Sequence, residues 1–168
     1  HGLDRRTGAV LWSLDARYGF RHNAIALGAG KVFCIDRTPD AERSFRRRRG
    51  LAPEDDGSLS CLDAATGRVL WSSTTGIFGT WLGYSEEHDV LLEAGSASRD
   101  RLLDEVGKGM AAYRGATGDL LWRHDEAYGG PAILLGRRAI TQVQGSGGIA
   151  FDLLTGRQVS RVHPLSGE

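Results

Sequence analysis

Apolar positions along this chain fall in short runs of strand length, each closed by a turn rich in glycine or polar residues. Val90–Leu92 and Ile133–Leu135 are among the longest, far short of the roughly 18–20 residues a membrane-spanning helix needs. Runs of this size between Gly, Asp, Asn and Ser clusters predict β-strands. The expected strands are Ala24–Leu27, Lys31–Asp36, Ser58–Asp63 and Arg68–Ser73, then Trp81–Tyr84, Val90–Ala94, Met110–Arg114 and Asp119–His124. Ala132–Leu135, Ala139–Val143 and Gly148–Asp152 complete the pattern.

An eleven-residue unit repeats through these strands without gaps. Its copies run from Gly2 to Trp12, Cys61 to Trp71, Ala112 to Trp122 and Ala150 to Ser160. All four keep Thr-Gly (Thr7-Gly8, Thr66-Gly67, Thr117-Gly118, Thr155-Gly156). Three keep an Asp three residues before the Thr (Asp4, Asp63, Asp152), and three end in Trp (Trp12, Trp71, Trp122). The Asp accepts hydrogen bonds from nearby backbone amides and starts a turn. The Gly supplies the positive φ of a tight hairpin, and the Trp offers a large flat surface at the end of the second strand.

The glycines at 8, 67, 118 and 156 are 59, 51 and 38 residues apart. The shortest interval matches a four-stranded propeller blade of about 40 residues. The expected fold is therefore all-β: a partial β-propeller with three four-stranded antiparallel blades and the last two strands of a preceding one. In residues, 1–14 end the preceding blade, and 20–73, 80–124 and 131–162 form the three blades of a single segment. Surplus residues fall between second and third strands: 37–57, rich in charge and proline, and 95–109, where Ser98 is placed to cap a short helix through Leu102, Leu103 and Val106, stopped at Gly107. Both insertions decorate the face that carries the blade-to-blade connections, opposite the Thr-Gly turns, which makes that rim the expected binding face.

The repeated unit resembles the tryptophan-docking motif, Ala-x-Asp-x-x-Thr-Gly-x-Glu-x-Trp, of the PQQ-like (quinoprotein-type) β-propeller family. The resemblance covers nearly the whole chain. It implies that Trp12, Trp71 and Trp122 stack between neighbouring blades. The motif's Glu is absent, its place being taken by Val10, Val69, Leu120 and Gln158; Arg114 replaces the Asp in the third copy and Ser160 the Trp in the fourth. Complete members carry about six to eight blades, so the chain reads as part of a longer protein, as does its opening His1-Gly2-Leu3-Asp4 without an initiator Met. The resemblance also implies an extracytoplasmic, periplasmic location and bacterial relatives such as the outer-membrane assembly lipoprotein and kinase sensor domains.

Composition narrows the chemistry. Lys+Arg and Asp+Glu are both 21, so the net charge is zero and no nucleic-acid partner is expected. Cys34 and Cys61 are too few for a disulfide framework and are expected on paired strands, as buried thiols or as a cross-strand bridge. None of His1, His22, His88, His124 and His163 has metal-ligand spacing with another His or Cys. Glu54-Asp55-Asp56 reads as solvated charge rather than a calcium loop. Arg46-Arg47-Arg48-Arg49 is the strongest charge run, read as a solvated insertion balanced by those acids. There is no phosphate loop and no nucleophile elbow; Gly145-Ser146-Gly147-Gly148 reads as a hairpin turn.

Arg21-His22-Asn23 leads into an innermost strand, with Phe78-Gly79-Thr80-Trp81 in the matching place of the next blade and Gly129-Gly130-Pro131 in the third. Arg21, His22, Asn23, Thr80 and Trp81 are the candidate channel-mouth binding residues. No catalytic, cofactor or metal residue is assigned. The expected function is a non-catalytic binding or assembly scaffold whose partners are the remaining blades and a protein or small-molecule ligand. The alternative is a PQQ- and calcium-dependent oxidoreductase with its active site largely outside this segment; a third reading is polyanion binding through Arg46–Arg49.

Overall fold

A computed structural model describes residues 1–38, 40–51, 57–95, 109–126, 129–143 and 147–162. Glu54-Asp55-Asp56, the helix expected from Ser98 to Gly107, Gly145-Ser146 and His163 lie outside them. The described strands form one hairpin and three four-stranded antiparallel sheets, each built from consecutive strands. The hairpin pairs β1 (Gly2–Leu3) with β2 (Val10–Trp12). The first sheet contains β3 (Phe20–Gly28), β4 (Lys31–Asp36), β5 (Ser58–Asp63) and β6 (Val69–Ser73). The second contains β7 (Trp81–Ser85), β8 (Val90–Ala94), β9 (Met110–Arg114) and β10 (Leu120–His124). The third contains β11 (Gly129–Leu135), β12 (Arg138–Val143), β13 (Gly147–Asp152) and β14 (Gln158–Val162). The leading strands β3, β7 and β11 contact one another in succession, so the sheets fan out from their first strands. This is a partial, unclosed β-propeller.

Alternation decides which side chains face which neighbour, because successive residues of a strand point to opposite faces. Phe33, Ile35, Leu59 and Cys61 from the first sheet meet Leu82, Leu91, Ala111 and Tyr113 from the second. The opposite face of the second sheet sends Val90, Leu92, Ala94, Met110 and Ala112 against Ala132, Ala139, Ile149 and Phe151 of the third. The second sheet is thus covered on both faces, and all five residues of β8 are buried. Each end of the stack keeps apolar groups in solvent: Ile25 and Leu27 on the first sheet, Ile133 and Leu135 on the third.

The Thr-Gly corners and the indoles lock successive sheets together. Asp4, Asp63 and Asp152 each accept, through one carboxylate oxygen, two backbone N–H groups and the Thr hydroxyl of their own corner. These bonds hold all three carboxyls below the ordinary carboxylate range: the Thr7 amide leads at Asp4, the Thr66 hydroxyl at Asp63, and at Asp152 the Arg137 and Thr155 contacts outweigh the effect of burial. The indole N–H of Trp12 donates to Ala64 O (3.0 Å), that of Trp71 to Gly115 O (2.9 Å) and that of Trp122 to Leu153 O (2.8 Å). Each acceptor sits in the corner of the following sheet. A Cβ on Gly67, Gly118 or Gly156 would lie 2.6–2.7 Å from the docking indole, and all three have φ near +70°. Glycine therefore meets two demands there, a left-handed backbone and a close approach.

Arg114 leaves the third corner without its own Asp, and a neighbour fills the role. Asp89 accepts the Ala116 N–H (3.0 Å), while the Thr117 hydroxyl turns to Asp119 (2.6 Å). Asp89 also accepts from the Tyr84 hydroxyl (2.7 Å) and pairs with Lys31 of the preceding sheet (3.3 Å).

The surplus stretch 37–57, for which the sequence reading proposes no element, contains helix α1 (Asp40–Arg48). Glu42 and Arg46 form an i,i+4 pair at 2.7 Å, and basic residues fill the last turn, where they favour the helix dipole. Gly50 (φ 71°) ends it: Gly50 N bonds Arg47 O and Leu51 N bonds Arg46 O, the paired bonds of a Schellman cap. Cys34 stands opposite Ser60 and Cys61 opposite Phe33. That one-residue offset puts the two sulfurs on opposite faces of the sheet, where both thiols are buried and free. Burial pushes each up to about 11.

Candidate functional site

The antiparallel order places the β2–β3, β6–β7 and β10–β11 connections at one rim, together with α1 of the β4–β5 insertion, opposite the Thr-Gly corners. Buried carboxylates organise this rim. Asp36 accepts the backbone N–H groups of Arg17 (2.6 Å), Tyr18 (2.9 Å) and Gly19 (2.8 Å), fixing the β2–β3 connection. Glu93, fully buried, accepts those of Phe78 (2.8 Å) and Gly79 (2.6 Å) and the Tyr113 hydroxyl (2.6 Å), fixing the β6–β7 connection. Burial pushes the Glu93 carboxyl up, against the pull of the Tyr113 hydroxyl and the two amides. Gly79 has no room for a side chain because Glu93 occupies the place of its Cβ. Two guanidiniums tighten the same loop: Arg37 donates to Phe78 O (2.8 Å), and Arg123 donates to Gly76 O (2.9 Å) while lying 4.7 Å over the Phe78 ring.

The candidate residues occupy the starts of two adjacent leading strands. Arg21, His22 and Asn23 lie where β3 departs from regular pairing. Phe20 stands opposite Asp36 and Ile25 opposite Cys34, so four residues of β3 face only Ile35. An irregularity of this kind re-aims side chains and is frequent beside functional sites. His22 and Asn23 are exposed there, whereas Arg21 is buried. Thr80 and Trp81 begin β7; Thr80 is buried, and its N–H bonds Ala94 O at 3.1 Å. Trp81 lies over Gly83 and packs against the core between the second and third sheets. Its ring therefore has a packing role. β11 has a similar irregularity, with Gly129 opposite Gln142 and Ile133 opposite Ile140.

Sequence reasoning did not find the cleft beside this rim. It has a volume of about 370 Å³ and is lined by Arg17, Tyr18, Thr38, Glu42 and Arg46. The signal available was the Glu42–Arg46 spacing with Gly50 after the arginine run, which together mark a helix. Among the described residues no group of three or more His, Cys, Asp or Glu side chains lies close enough to hold a metal ion, and no helix is long and apolar enough to cross a membrane.

Comparison with known proteins places this geometry. A PQQ-repeat family description, "Outer membrane protein assembly factor BamB", matches residues 1–168. No curated protein matches the sequence. Among solved structures, BamB from Moraxella catarrhalis superposes with a TM-score of 0.64 at 14% identity, covering 93% of this chain and 40% of that one. The computationally designed Ika4 protein gives 0.60 at 16% identity, covering 96% of this chain and 81% of that one. The quinohemoprotein alcohol dehydrogenase ADHIIG from Pseudomonas putida gives 0.56 at 15% identity, covering 96% and 31%. This chain thus spans two-fifths of the BamB structure it matches, and at these identities the likeness shows a shared fold.

Proposed function

Because this chain belongs to the PQQ-repeat β-propeller family described as outer membrane protein assembly factor BamB, we propose that it is a non-catalytic binding or assembly scaffold working outside the cytoplasm. The observation that carries this reading is the use made of the rim's buried acids. The oxygens of Asp36 and Glu93 are spent on backbone amides and the Tyr113 hydroxyl, so they hold loops in place. A rim of rigid connections suits presentation of a fixed surface to a partner. In this reading 20–73, 80–124 and 131–162 are blades, and the exposed His22 and Asn23 belong to the presented surface.

Further blades of the same propeller are the second kind of partner. Pairing register aligns Leu27 of β3 with Tyr84 of β7 and Leu134 of β11, both of which pack against a preceding sheet. Leu27 is 69% exposed and Leu135 64% exposed at the two ends of the stack. Apolar faces of this kind call for a covering sheet.

The alternative, a quinoprotein oxidoreductase with its active site largely outside 1–168, is supported by the fold shared with the alcohol dehydrogenase. Incubation of the intact protein with PQQ and calcium separates the two. The scaffold reading expects no quinone absorbance retained after gel filtration and no dye-linked alcohol oxidation. Retained quinone together with turnover would overturn it.

A further inference from the structure

We propose that the end of α1 seats on an anionic lipid surface, with Phe45 and Leu51 entering the headgroup layer and Arg47, Arg48 and Arg49 meeting its phosphates. The proposal goes beyond the scaffold reading and does not rest on it.

The helix cap builds the apolar pair. Gly50 N bonds Arg47 O and Leu51 N bonds Arg46 O. A cap of this kind folds the residue after the glycine back toward the last full turn, the place of Phe45. Neither group is covered: Phe45 is 47% exposed and Leu51 56%. Arg43 and Arg46, three residues apart, are half-buried and mark the side of α1 that faces the fold, which leaves Ser44, Phe45, Arg47 and Arg48 outward.

Positive charge rings this pair. Arg47, Arg48 and Arg49 are exposed, and among the described residues no carboxylate pairs with them. Glu42 of the same helix is engaged with Arg46 at 2.7 Å. The Arg49 guanidinium lies 4.3 Å over the Phe45 ring, so one cation and the aromatic face are presented together.

This combination selects the partner. An anionic membrane offers a plane of phosphate charge above a layer that accepts apolar groups, and both are met by an exposed Phe–Leu pair among arginines. The long arginine stems suit the same boundary, burying their methylenes while the heads stay with the phosphates. A sulfated polymer supplies the charge alone and leaves Phe45 and Leu51 in water.

The test is vesicle co-sedimentation of the intact protein, with phosphatidylcholine alone and with phosphatidylcholine and phosphatidylglycerol in equal parts. Variants are checked for native circular dichroism. Binding is expected on the mixed vesicles only. It should be lost as salt rises from about 0.1 M to about 1 M, where the screening length falls from about 10 Å to about 3 Å. Arg47→Ala with Arg48→Ala weakens it about fivefold for each arginine removed. Phe45→Ser weakens it about tenfold, through lost apolar burial. Arg5→Ala with Arg6→Ala removes the same charge from an exposed corner on the opposite side of the sheets and leaves the affinity as it was. The proposal is overturned by no binding to the mixed vesicles, by equal binding to both kinds, or by an equal loss in the Arg5 and Arg6 variant. It is also overturned if Phe45→Ser binds like the native chain, the mark of a purely ionic patch open to any polyanion.

Discussion

Replacement of Gly118 by Ala separates the two reasons for glycine at a docking corner. The backbone at Gly118 has φ +78°, and an added Cβ would stand 2.7 Å from Trp71 Cε3 and 2.9 Å from Cδ2. Ordinary carbon contacts lie at about 3.5–4.0 Å, so the indole has to withdraw. The left-handed backbone costs a β-carbon roughly 1–2 kcal/mol. Forcing a methyl into a packed contact adds about 1–3 kcal/mol. Gly118→Ala is therefore expected to destabilise by about 2–5 kcal/mol. Gly8 supplies the control, because it has φ +74° with nothing within 4 Å of its would-be Cβ. Gly8→Ala should cost only the backbone share, about 1–2 kcal/mol. In a Trp71→Ala background the steric share disappears, so the double-mutant cycle should return a coupling of about 1–3 kcal/mol. Urea denaturation followed by far-ultraviolet circular dichroism measures all four, avoiding a fluorescence signal that the Trp substitution itself changes. Equal costs at Gly8 and Gly118, or no coupling to Trp71, would refute the claim that the indole docks on this glycine.

Two further outcomes follow from the same geometry. Glu93 has its carboxyl raised by burial, so its contribution is fully present below the unfolded value near pH 4.3 and is lost as pH rises through the higher folded value. Glu93→Gln keeps an acceptor for the Phe78 and Gly79 amides, and its stability relative to the native chain should grow from pH 4 to pH 8 in urea titrations; a flat difference would contradict a buried, ionisable Glu93. Asp89→Ala removes the acceptor for the Ala116 amide and is expected to cost about 1–3 kcal/mol. Adding Arg114→Asp should recover part of that loss by restoring the corner's own acid, and no recovery would mean that Asp89 does not stand in for it.

Much of the architecture was legible because short-range chemistry specifies it. Lys31–Asp36, Ser58–Asp63, Val90–Ala94 and Met110–Arg114 are strands with the expected bounds, since their runs end at turns that Gly, Asp and Thr form locally. Helix α1 was hidden because six of its nine residues are charged and only Ala41 and Phe45, one turn apart, are apolar, a stripe too short to stand out from a charged loop. The irregular start of β3 was also invisible, because a bulge is a property of two strands in register rather than of one. At the rim, sequence position brought Arg21, His22, Asn23, Thr80 and Trp81 to adjacent strand starts. It did not distinguish the exposed His22 and Asn23 from the buried Arg21 and Thr80.

By itself, the sequence determined the repeating corner, the strand order and the all-β class, because each depends on contacts spanning a few residues: an Asp to its own Thr, a Gly at positive φ, an apolar run of strand length. Only the tertiary structure decided that Asp89 serves a corner more than twenty residues away, that Cys34 and Cys61 face opposite sides of one sheet, and that Arg17 and Arg46 share a cleft. Those relations arise when separate sheets pack and strands take register, and the spacing of residues along the chain carries no record of either.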